Sequence, residues 1–378
     1  MSVRKRKWTT RNGEAKEAWI VDYVDQDGHR HIETFKRKKD ADAYAQQVGV
    51  DIRAGTHTPT SKSITVAQAA DDWIKSVKLE GREASTLAQY RQHARHITER
   101  IGNHKLSGLT PRINTFRDDL LATMSRAMAR KVLTSLKSLL RDAQRRGNVA
   151  QNAALSVKKI DADKRGEGRL KVGVDIPTTD EIKAIIATAR RWRPLLLTAI
   201  FTGLRSSELR GLRWSDVDLK VGELHVHQRA DRYNELGKPK SKAGDRTIPI
   251  GPLVVNALRE WKVGCPKGAL GLVFPTASGG IARHNNIVRA FKSTVVAAGL
   301  TNPDGKPKYT GLHALRHFYA SWCINPLDRG GQGLPPKVVQ VRLGHSSIVM
   351  TMDTYGHLFP DRDDADKRLA EAERALLT

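Results

Sequence analysis

Thr202-Gly203-Leu204-Arg205-Ser206-Ser207-Glu208-Leu209 follows directly on the longest apolar run of the chain, Leu195-Leu196-Leu197-Thr198-Ala199-Ile200-Phe201. That run reads as a buried helix and is far shorter than the ~20 residues of a membrane span. Gly203 allows a turn that a side chain would hinder, so Arg205 can project from it at the start of the next helix. Three later pieces also carry chemical groups. Ser241-Lys242-Ala243-Gly244 reads as a hairpin tip ahead of the alternating strand 246–250. His313-Ala314-Leu315-Arg316-His317 opens a helix running into Phe318, Tyr319 and Ala320. Leu343-Gly344-His345-Ser346-Ser347-Ile348 precedes Thr351-Met352-Asp353-Thr354-Tyr355-Gly356-His357.

Each piece alone is ambiguous. A single arginine in an arginine-rich chain is usually surface, and a lone helical histidine is usually a satisfied core residue. His313 and His317 have the i, i+4 spacing of a metal pair. Neutral imidazoles beside the cation Arg316, with no further ligands in reach, make a poor zinc site. The sequence has no paired carboxylates for a two-metal centre, no Walker A loop and no H-E-x-x-H helix. No metal and no cofactor is expected. If this domain acts on phosphates, arginines supply the positive charge and a side chain the nucleophile.

Working outward, a capping box, Thr178-Thr179-Asp180-Glu181, opens the last domain, assigned to residues 177–378. Residues 159–176 are charged, Gly-bearing and aperiodic, and read as a linker. Residues 63–158 read as a helical domain. Thr65 caps a helix carrying Val66, Ala69, Ala70, Trp73 and Ile74; Ser85 or Thr86 caps another carrying Leu87, Tyr90, Ala94, Ile97 and Ile101. The stretch 129–146 puts Val132, Leu136, Leu139 and Ala143 on one face and Arg130, Lys131, Lys137, Arg141 and Arg145 on the other. With few acids among them, those bases read as a DNA-contacting face.

Residues 1–58 read as a small β-rich module. Ala18-Trp19-Ile20-Val21-Asp22-Tyr23-Val24 and His31-Ile32-Glu33-Thr34-Phe35 are strands joined by a turn, and residues 38–53 are a helix. Arg4, Lys5, Arg6, Lys7, Lys36 and Arg37 flank this sheet, as a solvated run or as a surface that docks in a DNA groove. The tail, 361–378, reads as an amphipathic helix with Leu369, Ala372 and Leu376 on one face, packed on its own domain or on a neighbouring protomer.

The charge gives the same reading. Among 378 residues, 65 Lys+Arg stand against 40 Asp+Glu, a net charge of +25. Residues 61–160 carry +11, about twice the density of residues 161–378, which also carry +11. A surplus so placed implies a polyanionic partner lying along the middle segment. A mean hydropathy of −0.48 and a polar N-terminus exclude a membrane span and a signal peptide, and two isolated cysteines imply a reducing compartment.

In their order, TGLRSSEL, SKAG, HALRH, LGHSS and DTYGH resemble the tyrosine recombinase, or phage integrase, family across roughly two hundred residues. The resemblance implies a mainly α, multidomain fold. It comprises a small sheet-plus-helix arm-type module, a helical core-binding domain and an α-rich catalytic domain with a small β-sheet and hairpin. It implies Arg205, Lys242, His313, Arg316, His345 and Tyr355 as catalytic residues, with Glu208 supporting the first arginine loop. Asn152-Ala153 departs from the Asn-Pro of many relatives, outside the site. The implied partners are double-stranded DNA at core and arm-type sites, three further copies on DNA, and an excision-directing or host DNA-bending protein. The implied setting is a bacterial cytoplasm, at the nucleoid. The implied activity is integration and excision of a phage or integrative element through a 3′-phosphotyrosyl intermediate and a Holliday junction. Two alternatives stay open: a dimer resolvase or transposon recombinase of the same family, and a DNA-binding regulator whose catalytic residues are unused.

Overall fold

A computed structural model describes residues 1–10, 13–26, 28–55, 57–60, 63–161, 169–359, 369 and 373–376. The chain divides into two compact units, Met1–Glu167 and Gly168–Thr378. The described residues are mainly helical, with three small sheets among them.

The first unit opens with an antiparallel meander of β1 (Ser2–Thr9), β2 (Ala15–Val24) and β3 (Arg30–Phe35). Helix α1 (Lys38–Arg53) covers one face and buries Ala41, Ala45 and Val48 against Val21 and Tyr23. The basic run Arg4 to Lys7 does not flank this sheet; it forms the middle of β1, with Arg4 opposite Ile20 and Lys5 opposite Trp19. Four helices follow: α2 (Val66–Leu79), α3 (Ala84–Ile101), α4 (Ile113–Thr123) and α5 (Arg126–Arg145). Thr65 and Gln68 form a capping box on α2. Helix α3 begins earlier than its Ser and Thr suggested: Glu83 is the N-cap, so Ser85 and Thr86 lie in the first turn. In α5, Ala129, Val132, Leu133, Leu136, Leu139, Leu140 and Ala143 turn inward. Each large aliphatic among them contributes roughly 1.5–3 kcal/mol relative to exposure.

The second unit contains α6 (Thr179–Thr188), capped by Thr178 and Glu181, then α7 (Arg193–Thr202) and α8 (Ser206–Gly211). Short strands β4 (Val217–Asp218), β5 (Glu223–Val226) and β8 (Arg246–Pro249) form one sheet, and β6 (Arg229–Ala230) pairs with β7 (Leu236–Gly237). Because β8 pairs with β5 and not with β7, Ser241-Lys242-Ala243-Gly244 is a 3-10 turn between sheets, not a hairpin tip. Helices α9 (Pro252–Gly264), α10 (His284–Ala297), α11 (His313–Ile324), α12 (Pro336–Leu343) and α13 (Ile348–Tyr355) complete the unit. Of the tail helix expected over residues 361–378, residues 369 and 373–376 are helical; the rest lies outside the described residues. Among the described residues, no helix is long and apolar enough to cross a membrane.

Candidate active site

The site is assembled from helix ends. Gly203 closes α7 at φ +61°, and a Cβ there would lie 2.4 Å from the Tyr319 ring, so glycine is required by both backbone and space. The reversal leaves Arg205 extended at the N-cap of α8, where its backbone N–H donates to Glu208 Oε2 at 2.9 Å and its Nη1 to Oε1 at 2.8 Å. Arg205 Nη2 also donates to the Gly344 carbonyl at 3.3 Å.

Glu208 is 3% exposed and carries a second guanidinium, that of Arg246, whose Nη2 and Nη1 lie 3.0 and 3.3 Å from its oxygens. Burial raises the carboxyl pKa, but Arg246 and Arg205 outweigh it, and the net shift is downward. Arg246 also donates to the carbonyls of Gly244 and Arg342, at 3.0 and 2.8 Å. It therefore ties the Lys242 turn to the end of α12. Gly344 caps α12 at φ +63°, where a Cβ would meet Arg246 Nη1 at 2.8 Å and the Ala243 carbonyl at 2.9 Å.

Arg316, on α11, is 2% exposed. It donates to the Gly203 carbonyl at 2.7 Å and the Leu343 carbonyl at 2.5 Å, joining the first arginine loop to the end of α12. Burial, then the nearby Arg205 charge, lowers its pKa to about 9, which leaves it protonated at neutral pH.

Tyr355 ends α13 and is 1% exposed, packed in a small core with Tyr319, Cys323, Val339 and Leu343. Its hydroxyl lies 2.8 Å from His317 Nδ1. His345 stacks parallel to the Tyr355 ring at 6.4 Å and shares a 2.9 Å hydrogen bond between Nδ1 and Thr351 Oγ1. Burial, followed by Arg316, Arg205 and Arg246, lowers the His345 pKa to about 4, so its ring is neutral. Exposed His313 meets His317 edge-to-face at 4.6 Å. A cleft of about 300 Å³, lined by Leu204, Arg205, Ser206, His284, Thr310 and His313 among others, opens beside these groups.

Arg205, Glu208, Arg316, His345 and Tyr355 are thus brought into one cluster, and Lys242 is joined to it through the backbone of its turn. His313 lines the cleft beside Arg205, and the DNA-binding candidates lie in the first unit. Arg130, Lys131, Arg141 and Arg145 are exposed on α5, Lys137 is half-buried, and Arg145 faces Asp142 at 3.6 Å. Lys36 and Arg37 join β3 to α1, with Arg37 paired to Asp40.

Two residues escaped the reading of the sequence. Arg246 had a signal: it shares strand parity with Ile248 and Ile250, both buried, and an inward charge demands a buried partner. His317 had its spacing one turn after His313, which was weighed only as a metal pair.

The second unit thus joins two buried guanidiniums, an acidic clamp and a tyrosine at a helix end. Residues 177–362 match the phage integrase family, and the chain belongs to that family. It is a tyrosine recombinase, a site-specific DNA recombinase. It is 28% identical to a "Tyrosine recombinase XerC-like" protein of Caldanaerobacter subterraneus subsp. tengcongensis, covering 86% of this chain and 87% of that one. It is 25% identical to the ICEBs1 integrase of Bacillus subtilis strain 168, covering 81% and 83%. Among solved structures, a Tn1549 transposon integrase bound to a circular intermediate DNA superposes with a TM-score of 0.65 at 21% identity, over 83% of this chain and all of that one. A lambda integrase dimer on a COC' core site superposes with a TM-score of 0.61 at 21% identity, over 94% and 95%. These two likenesses show a shared fold.

Proposed function

We propose that this recombinase cuts and rejoins DNA with Tyr355 as nucleophile, integrating and excising a phage or integrative element. The observation that carries this reading is the convergence of Arg205 and Arg316 on the loop carbonyls of Gly203, Leu343 and Gly344, with Tyr355 in the same small core as Leu343.

A phosphodiester repels nucleophiles through its charge. Arg205 and Arg316 bind its non-bridging oxygens with permanently charged planar forks, and bind more tightly as charge concentrates in the pentavalent transition state. The Tyr355 oxygen attacks phosphorus, and the bond to the 5′-oxygen breaks, leaving a 3′-phosphotyrosyl link. Lys242 protonates the departing 5′-oxygen. Neutral His345, in the tautomer that accepts from Thr351 at Nδ1, carries its proton on Nε2 and donates to a phosphate oxygen. His313, at the cleft, serves proton handling and orientation. Glu208 fixes Arg205. Attack by a new 5′-hydroxyl reverses these steps, and exchange in pairs passes through a Holliday junction.

Residues 1–58 form the arm-type binding domain, residues 63–158 the core-binding domain and residues 177–378 the catalytic domain, with 159–176 as the linker. The exposed bases of α5 track phosphates in the core site. Four copies assemble on DNA, with the tail helix docking on a neighbour, an excision-directing or host DNA-bending protein sets direction, and the enzyme works at the bacterial nucleoid. The sheet module at the front, together with the likeness to the ICEBs1 integrase, favours an integrase over a dimer resolvase.

A nicked duplex carrying the core site, which traps the covalent intermediate, tests this directly. The native protein gives a denaturant-resistant adduct, and Tyr355→Phe abolishes it while binding survives. Absence of an adduct with the native protein would overturn the reading.

A further inference from the structure

We propose that His317 is the proton acceptor for Tyr355: it holds the phenol in place and takes its proton as the bond to phosphorus forms. This rests on the reading of Tyr355 as nucleophile.

The geometry separates the three nearby histidines. His317 Nδ1 lies 2.8 Å from the Tyr355 hydroxyl, with ring centroids 5.7 Å apart and planes at 61°. His345 directs Nδ1 to Thr351 and presents its ring parallel to that of Tyr355. His313 packs on His317 rather than on the phenol. Helix α11 thus carries the phosphate-binding arginine and the tyrosine's partner on consecutive residues, Arg316 and His317. The helix positions both reacting partners.

The protonation states suit a resting enzyme. Burial, then His313 and Arg316, lowers the His317 pKa to about 4, opposed by Asp175; burial raises Tyr355 to about 12, opposed by Arg316 and Arg205. The proton therefore stays on Tyr355, and neutral Nδ1 accepts the hydrogen bond. As the phenol oxygen bonds to phosphorus it becomes strongly acidic and sheds its proton. The negative scissile phosphate favours the imidazolium that results. The step balances: the bond from Oη to phosphorus forms, the bond to the 5′-oxygen breaks, the phenol proton passes to Nδ1, and Lys242 supplies a proton to the 5′-oxygen. In rejoining, His317 returns its proton to the departing phenol.

Single-turnover adduct formation on the nicked duplex tests this, compared with a duplex whose scissile 5′-bridging oxygen is sulfur. Sulfur leaves without protonation, so it rescues Lys242→Ala. It does not rescue a missing acceptor for Tyr355. His317→Ala is expected to slow adduct formation about 10²-fold or more on both duplexes, with DNA binding retained. His317→Asn, which keeps a hydrogen-bonding atom near the Nδ1 position but cannot take the proton, is expected to be as slow; it carries the test if His317→Ala does not fold. A rate within threefold of wild type for either variant overturns the proposal, and so does rescue by sulfur. Wild-type speed in His317→Asn beside a slow His317→Ala also overturns it, since positioning alone would then suffice. An adduct that persists in Tyr355→Phe instead defeats the underlying assignment of the nucleophile.

Discussion

Arginine is used in opposite ways in the two units. On α5, Arg130, Arg141 and Arg145 stand in solvent on a helix whose other face is largely aliphatic and buried. In the second unit, Arg316 and Arg246 are 2% and 6% exposed, and each is fixed by carbonyl oxygens. A solvated arginine on a flexible stem follows a phosphate wherever the backbone runs. A buried one, held by carbonyls, determines where a phosphate must sit. In the proposed mechanism the same charge attracts DNA in one unit and positions it in the other.

The sharpest way to break this contrast is Arg316→Ala. It removes the guanidinium and strands the Gly203 and Leu343 carbonyls, so adduct formation should fall about 10³-fold and the melting temperature should drop, both measured beside a binding assay. Glu208→Gln comes next. It leaves Arg246 buried without its counter-charge and should cost about 3 kcal/mol at pH 7 by urea denaturation. Because the Glu208 pKa is depressed in the folded chain, its contribution is full above the unfolded value near 4.5 and is lost as pH falls through the folded pKa. The difference between wild type and Glu208→Gln should therefore shrink below pH 4.5 and stay constant above it. Gly344→Ala should cost about 2 kcal/mol, because the new Cβ meets Arg246 and the Ala243 carbonyl at a left-handed φ; a thermal melt reads this.

Removing charge from α5 should act differently. Arg130→Gln, Lys131→Gln and Arg141→Gln together should weaken binding and reduce the salt slope by about 0.9 for each phosphate contact removed. Titrations at several salt concentrations measure it. The smallest effect is Thr65→Ala, about 1 kcal/mol from the lost cap on α2, read from its denaturation midpoint.

What could be read from the sequence follows the range of the interactions. Helices α2, α5 and α6 announce themselves because cap and apolar period lie within a few residues of each other: Thr65 with Gln68, and Thr178 with Glu181. Strand β1 gave no such signal, since Arg4-Lys5-Arg6-Lys7 lacks strand composition and is held by pairing with β2. At the site, the order of motifs pointed to Arg205, Arg316 and Tyr355. It could not show Arg246 on Glu208 or His317 on Tyr355, two contacts that each join residues 38 apart. Motifs name side chains, and tertiary packing selects their partners.

The burial of Tyr355 bears on what becomes of cut DNA. A covalent phosphotyrosine can be resolved by a 5′-hydroxyl, which restores a strand, or by water, which leaves a permanent break. The tyrosine is 1% exposed and walled by Tyr319, Val339 and Leu343, so the proposed linkage would form at a side chain that bulk water scarcely reaches. With Tyr355 as the proposed nucleophile, the packing that hides it favours rejoining by a 5′-hydroxyl over hydrolysis.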